Sequence, residues 1–215
     1  MINELVFRII FAILWLVFIF NILWVRYQAS AHGEKAPPDQ AAIRERRLHA
    51  VGLAIFGPLW FGGVYLYLLL PSWIAFFSIP LPDWFRVAMA GVSAISIPFT
   101  TWGYRALGRN WVHALDQSQF RLRKEERLVT SGPYRYVRNP IYLGAFTLVI
   151  SLSLLSANAF LFVPTVFIVT LIYMQIDGEE TMLTAKFGDE YREYMKRTPR
   201  IIPRLGRDRR AHQEA

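Results

Sequence analysis

Two short stretches carry the residues that could do chemistry. The first is Gly132-Pro133-Tyr134-Arg135-Tyr136-Val137-Arg138-Asn139-Pro140-Ile141-Tyr142-Leu143-Gly144, and the second is Glu179-Glu180. Guanidinium groups make bidentate, charge-assisted hydrogen bonds to carboxylates and phosphates, so Arg135 and Arg138 point to an anion. Asn139-Pro140 is a helix-start signal, with asparagine as N-cap and proline at the first helical position. The helix begun there would aim its first amides and the positive end of its dipole at the same anion. Tyr142 falls in the first turn, and Gly144 would let a ligand or a neighbouring helix come close to the backbone. Glu179 and Glu180 supply the opposite chemistry, accepting from hydroxyls or an ammonium group or acting as a base. Adjacent helical residues point about 100° apart, so one carboxylate is expected in a cavity and the other on a nearby arginine. Each feature also has a plainer reading. Arginines flank membrane spans, asparagines cap helices, and exposed glutamates often do nothing measurable.

The elements that must position these residues are membrane helices. The chain is 54% hydrophobic and 15% aromatic, with a mean hydropathy of +0.27, beyond the range of ordinary soluble domains. A bilayer-crossing helix needs about 20 apolar residues. Several apolar runs are that long, and five are read as spans: Ile9 to Val25, Ala50 to Leu70, Val87 to Tyr104, Pro140 to Leu155 and Ala159 to Ile176. The fold class expected is an all-α integral membrane protein with about five transmembrane helices and a C-terminal cytoplasmic amphipathic helix. Only Ser156, Ala157 and Asn158 separate the last two runs, which makes them an antiparallel hairpin. That hairpin returns Glu179-Glu180 to the membrane face that holds Arg138. Pro71 to Pro82, with Trp73, Phe76 and Phe77, is too short and proline-broken to span and reads as an interfacial or re-entrant connection. Asp177 to Thr198 reads as a surface helix with Leu183, Phe187, Tyr191, Tyr194 and Met195 on one stripe. Gly188 would weaken or kink it and Pro199 would end it. The whole forms one membrane domain, 1–215. Three spans and their connections occupy 1–104, the catalytic part occupies 105–203, and a disordered tail covers 204–215.

Charge sets the orientation. The net charge is +8, and all 24 lysines and arginines except Arg8 and Arg86 lie in the first loop, the third loop or the tail. With five spans these segments share one face, so the N-terminus is expected outside and the C-terminus in the cytoplasm of a cell (inner) membrane. That distribution explains the basic balance through membrane topology and anionic lipid, with no nucleic-acid partner. Ala29-Ser30-Ala31 resembles a signal-peptidase site. Cleavage there would carry Arg44 to Arg47 outward, so the charge bias favours an uncleaved first span. Leu107-Gly108-Arg109-Asn110-Trp111 reads as a span end, and Arg121 to Arg127 as a solvated face. Cysteine is absent, and His32, His49, His113 and His212 lack ligand spacing, so no metal site is expected. No Gly-x-Gly-x-x-Gly follows a strand, which argues against a soluble dinucleotide-type fold.

An anion-binding helix start beside two carboxylates at one membrane face suits a small zwitterionic ligand. S-adenosylmethionine, with its carboxylate, ammonium, ribose diol and sulfonium, meets that description, as would other amphoteric molecules. The sequence also resembles the isoprenylcysteine carboxyl methyltransferase and phospholipid methyltransferase superfamily of integral membrane enzymes. The resemblance rests on Gly132 to Gly144, Glu179-Glu180, Leu183, Phe187-Gly188, Glu190-Tyr191, Tyr194 and the closing Pro199 to Pro203. It implies S-adenosylmethionine as methyl donor, bound between the ends of the last two spans and the C-terminal helix. By position, Arg138, Asn139, Tyr142 and Gly144 would contact the cofactor's amino-acid end, with Tyr134, Arg135 and Pro140 in the same binding stretch. Glu179 and Glu180 would serve the other half, and Arg138 and Glu180 would be the catalytic pair. Many members have histidine where this chain has Asn139, and asparagine keeps a donor but cannot act as a base. The implied reaction is an in-line methyl transfer that relies on alignment and desolvation. Its acceptor would be lipophilic or lipidated and would enter sideways from membrane lipid: prenylated cysteine, a phospholipid amine, a sterol-like lipid or a small thiol. Two rival readings are an NADPH-dependent sterol-type reductase and a non-enzymatic membrane scaffold. Nothing in the sequence indicates an oligomeric state.

Overall fold

The computed structural model describes residues 2–30, 40–107 and 127–203, without the side chains of 26, 28–30 and 40–50. Each long apolar run becomes a helix. In chain order these are α1 (Glu4–Ser30), α2 (Gln40–Leu69), α3 (Asp83–Leu107), α4 (Pro140–Ser156) and α5 (Ala159–Phe187), followed by the short α6 (Asp189–Arg197). Short 3-10 turns occupy Pro71–Phe77 and Gly132–Arg135, and no strand is present among the described residues. Among the described residues three helices are long and apolar enough to cross a membrane, over Glu4–Val25, Val51–Leu69 and Ala159–Phe187, while the apolar α4 has 17 residues. The more polar α3 turns its hydroxyls back on itself. Ser93, Ser96, Thr100 and Thr101 donate to carbonyls four residues earlier, which makes a hydroxyl tolerable in an apolar setting. Residues 108–111, the charge run at 121–126, Ala31 and the tail at 204–215 lie outside the described residues.

The α4–α5 turn is as tight as its three residues require. Ala157 adopts a left-handed conformation (φ 49) that ends α4. Asn158 then caps α5, its Oδ1 accepting from the Phe160 amide at 2.9 Å. Its Nδ2 donates to the Ile74 carbonyl at 2.9 Å, and the Ile79 amide donates to the Ala157 carbonyl at 2.7 Å. The Pro71–Phe77 connection is therefore pinned to the same end of the bundle.

That end also holds Arg86, one of the two basic residues away from the basic segments. Its guanidinium donates to both Glu4 oxygens (2.7 and 2.9 Å) and to the Leu155 carbonyl (2.9 Å), and it stacks on Phe7 at 3.7 Å. The Tyr67 hydroxyl donates to Glu4 at 3.0 Å. A buried arginine so paired links α1, α2, α3 and α4 at one point.

Small residues let the helices approach. Ser93 and Ser151 hydroxyls meet at 2.7 Å between α3 and α4, and Gly103 faces Ile141 across the same interface. Between α2 and α5, Gly63 faces Leu161, and Trp60 Nε1 donates to Thr165 Oγ1 at 2.7 Å. Phe7, Phe11, Leu148, Leu152, Leu155 and Leu161 fill the centre. Large apolar side chains such as Leu16, Phe20, Trp73, Phe76 and Ile95 cover the outside.

The structure departs from the sequence expectation at the end of α5. A separate surface helix was expected from Asp177. Instead α5 runs on to Phe187 as one helix of 29 residues, about 43 Å at 1.5 Å per residue. Gly188, with φ +57, then breaks the chain direction outright and α6 begins. The break is sharper than a kink.

Candidate functional site

The site forms where α4 begins, α5 ends and the chain after α6 passes between them. Pro140 opens α4, as its ring geometry favours. Asn139 occupies the cap position, and its carbonyl accepts from the Leu143 amide at 3.0 Å, but its side chain makes no cap hydrogen bond. Asn139 Nδ2 instead donates to Glu180 Oε1 at 3.2 Å and to the Arg200 carbonyl at 3.3 Å. These two acceptors hold the Asn139 amide by its donor end, and the charge-assisted bond to the buried carboxylate fixes it away from the capping orientation.

Arg138 makes a fork on Glu180, Nε to Oε1 at 2.9 Å and Nη2 to Oε2 at 3.1 Å. Its Nη1 donates to the carbonyls of Thr198 (2.7 Å) and Met195 (3.1 Å). The Arg138 side chain is 11% exposed and that of Glu180 7%, so the pair is shielded enough for its geometry to matter. Arg200 approaches Glu180 from the other side, with Nε and Nη2 at 3.1 and 2.8 Å from Oε2. Its Nη2 also lies 2.7 Å from Asp177 Oδ1. Main-chain bonds complete the junction: the Arg138 amide donates to the Pro199 carbonyl (2.8 Å) and the Asn139 amide to that of Arg200 (3.1 Å).

Glu179 points elsewhere and accepts from the Tyr142 hydroxyl. The two neighbouring glutamates thus take separate partners, as their angular separation demands. Around them lies a cup of tyrosines. The Tyr194 hydroxyl of α6 donates to the Tyr134 carbonyl at 2.7 Å, and Tyr191 is buried beside Tyr194. Burial pushes the hydroxyls of Tyr134, Tyr191 and Tyr194 above the ordinary phenol range, so they stay neutral. For Arg200 burial alone would favour proton loss, but the hydrogen bonds to Glu180 outweigh it and raise the guanidinium further.

Of the residues singled out in the sequence, Tyr134, Arg138, Asn139, Pro140, Tyr142, Glu179 and Glu180 converge on this junction. Arg135 is exposed on its 3-10 turn. Gly144 is buried against α3, where an added Cβ would lie 2.1 Å from Thr100 Oγ1. Its close approach is to a helix. Sequence reasoning passed over Arg200 and Asp177. It counted Arg200 among the basic residues of the tail, although Arg200 stands between Pro199 and Pro203 in the closing segment of the resemblance.

The model of the phospholipid methyltransferase family matches residues 85–190, from the start of α3 into the first turn of α6. Over 84 residues the chain is 37% identical to a protein-S-isoprenylcysteine O-methyltransferase of Schizosaccharomyces pombe, covering 37% of this chain and 34% of that protein. Over 122 residues it is 30% identical to a nickel-cobalt-cadmium resistance protein of Alcaligenes xylosoxydans xylosoxydans, covering 57% and 53%. Over 79 residues it is 39% identical to methanethiol S-methyltransferase 1 of Bradyrhizobium diazoefficiens, covering 36% and 26%. The chain thus spans about half the length, or less, of these curated relatives.

Proposed function

We propose that this chain, whose residues 85–190 match the phospholipid methyltransferase family model, transfers a methyl group from S-adenosylmethionine to a lipophilic acceptor at the cytoplasmic membrane face. The observation that carries the reading is the meeting of Arg138 and Asn139 with Glu180, 2.9 and 3.2 Å apart across 41 to 42 residues of sequence, inside the matched segment. A bare basic membrane boundary needs no such buried junction of both charge signs.

In this reading all five long helices, α1 to α5, cross the bilayer, with the N-terminus outside and the C-terminus in the cytoplasm. The alternation of helix ends supports it. The α1 start, the α2–α3 connection and the α4–α5 turn meet around Glu4, Arg86, Leu155 and Asn158, while Arg138, Glu180 and Arg200 gather at the other end. Arg135, Arg138, Lys186 and Arg192 belong to the elements at that second end, which supports a positive-inside orientation.

The donor set fits an amphoteric cofactor. The first turn of α4, with amides of Ile141 and Tyr142 that lack intrahelical partners by position, would face its carboxylate. The Glu179–Tyr142 pair would face its ammonium and ribose hydroxyls, and the Glu180 junction, whose oxygens are already engaged, would fix the wall beside them. When bound, the cofactor supplies an electrophilic methyl group on a sulfonium. The residues of the chain align and enclose: Arg138 and Glu180 hold the end of α5 against the start of α4, and Tyr134, Tyr191 and Tyr194 exclude water. Where an acceptor carries a proton, as an amine or thiol does, Glu179 is the carboxylate placed to take it, because Glu180 is engaged by Arg138, Arg200 and Asn139.

The test is equilibrium binding of S-adenosylhomocysteine against NADPH to the purified chain, followed by transfer of labelled methyl into a lipid extract. The expected result is S-adenosylhomocysteine binding and label in an apolar product. NADPH binding without S-adenosylhomocysteine binding would replace this reading with a reductase, and turnover of water-soluble acceptors alone would remove the lipophilic acceptor.

A further inference from the structure

We propose that Arg200 is a positioning residue of this site, and that the segment it belongs to, residues 198–200, is a strap that sets the site's affinity by fixing Glu180. The part concerning cofactor affinity rests on the function proposed above, while the strap itself does not. Three observations carry it. First, the segment is stitched to the start of α4 along its whole length. The Pro199 and Arg200 carbonyls accept from the Arg138 and Asn139 amides, and the Thr198 carbonyl accepts from Arg138 Nη1. Second, the Glu180 carboxylate is shared. Arg138 and Asn139 of α4's start reach it, and Arg200 of the strap adds two contacts on Oε2. Those five contacts fill about four lone-pair directions, so Glu180 has no rotational freedom left. Third, the charges balance within the cluster, two guanidiniums (Arg138 and Arg200) against two carboxylates (Glu180 and Asp177).

The consequence of removing Arg200 is specific. Oε2 would keep only Arg138 Nη2, and the strap would lose its ionic hold on α5, so that its main-chain bonds to the start of α4 would open more often. The Arg200 side chain is 31% exposed against 11% for Arg138. It closes the junction from the rim, so its loss should loosen the site without unfolding the bundle. Arg200 touches α5 and the strap, and acts on a bound cofactor only through Glu180. This residue lies beyond the segment that the family model matches, which ends at residue 190.

The experiment compares the full chain with its Arg200→Ala and Arg200→Lys variants in detergent. Hydrogen exchange of residues 195–203 is measured without ligand, S-adenosylhomocysteine affinity by calorimetry, and kcat and KM for the methyl donor by labelled transfer. Arg200→Ala is expected to lose exchange protection across the strap, and to weaken S-adenosylhomocysteine and raise the donor KM by about tenfold, with kcat at saturation changed by less than about twofold. Arg200→Lys should restore part of both, since an ammonium reaches Glu180 but cannot make the fork. Lost protection with unchanged affinity would make the strap merely structural and overturn the positioning role. A fall in kcat with KM unchanged would overturn it too, and unchanged protection would overturn the strap. If the unaltered chain binds no S-adenosylhomocysteine, the proposed function fails, and the exchange measurement still decides the strap.

Discussion

A carboxylate held inside a helical bundle is costly unless several donors reach it, and removing one partner of such a pair is costlier still. Glu180→Gln keeps the size of the side chain and takes away the charge, leaving Arg138 and Arg200 facing a neutral amide. It is expected to lower stability by about 3 kcal/mol, read as a fall in thermal midpoint in detergent, and to abolish measurable S-adenosylhomocysteine binding. Glu179→Gln behaves differently, because an amide oxygen still accepts from Tyr142. Its stability cost should stay within about 1 kcal/mol, and equal costs for the two variants would show that the glutamates are not distinct. The distinction was half legible in the sequence. Helix geometry separates two adjacent glutamates, and one was expected to meet an arginine. Which one did so depended on Arg200, hidden because basic residues after a last span are ordinarily topological. Asn139 was legible as the position before a helix, but its side chain answers to a carboxylate 41 residues away, and no local signal reports that.

At the scale of elements, the turn at Ser156 to Asn158 and the start of α4 were plain from composition, because left-handed, capping and proline positions are local preferences. The interface of α3 with α4 was not, since Gly144 could as well have faced a ligand. An alanine there would place Cβ 2.1 Å from Thr100 Oγ1. Gly144→Ala should therefore cost about 1–3 kcal/mol, measurable as a lower thermal midpoint. Adding Thr100→Ala should recover part of it, and no recovery would mean that the strain lies in the Thr100 backbone. The Arg86 junction was also hidden, because the sequence marks Arg86 only as a charge near a span end. Arg86→Met alone should destabilise by about 1–2 kcal/mol, because the buried Leu155 carbonyl loses its donor while the half-exposed Glu4 keeps Tyr67 and solvent. Combined with Glu4→Gln, the same change should cost less than the two single variants together, which a double-mutant cycle in detergent would measure.

The whole molecule separates two ends of different character. One is closed by Arg86, Glu4 and the connection at Pro71–Phe77, the other carries Glu179 and Glu180 with Arg138, Arg200 and the buried tyrosines. The distribution of charge in the sequence predicts one basic face, since all but two basic residues fall in the segments assigned to it. The length of α5 was not readable, because the apolar run stops at Ile176 while hydrogen bonding carries the helix to Phe187. A helix of about 43 Å exceeds a hydrocarbon core of about 30 Å. In the proposed orientation the carboxylates would ride on a mast whose height above the acyl chains is set by the lipid. Glu180 stands four residues past Ile176, about 6 Å along the axis. A thicker bilayer would draw the junction into its boundary, and a thinner one would lift it clear of a membrane-dissolved acceptor. Reconstituted in vesicles of graded chain length, the protein should show a peak of methyl transfer at one thickness, with binding of S-adenosylhomocysteine less affected. A flat profile would mean that α5 tilts to absorb the mismatch. The same helix that builds the site would then also be what shields it from the membrane around it.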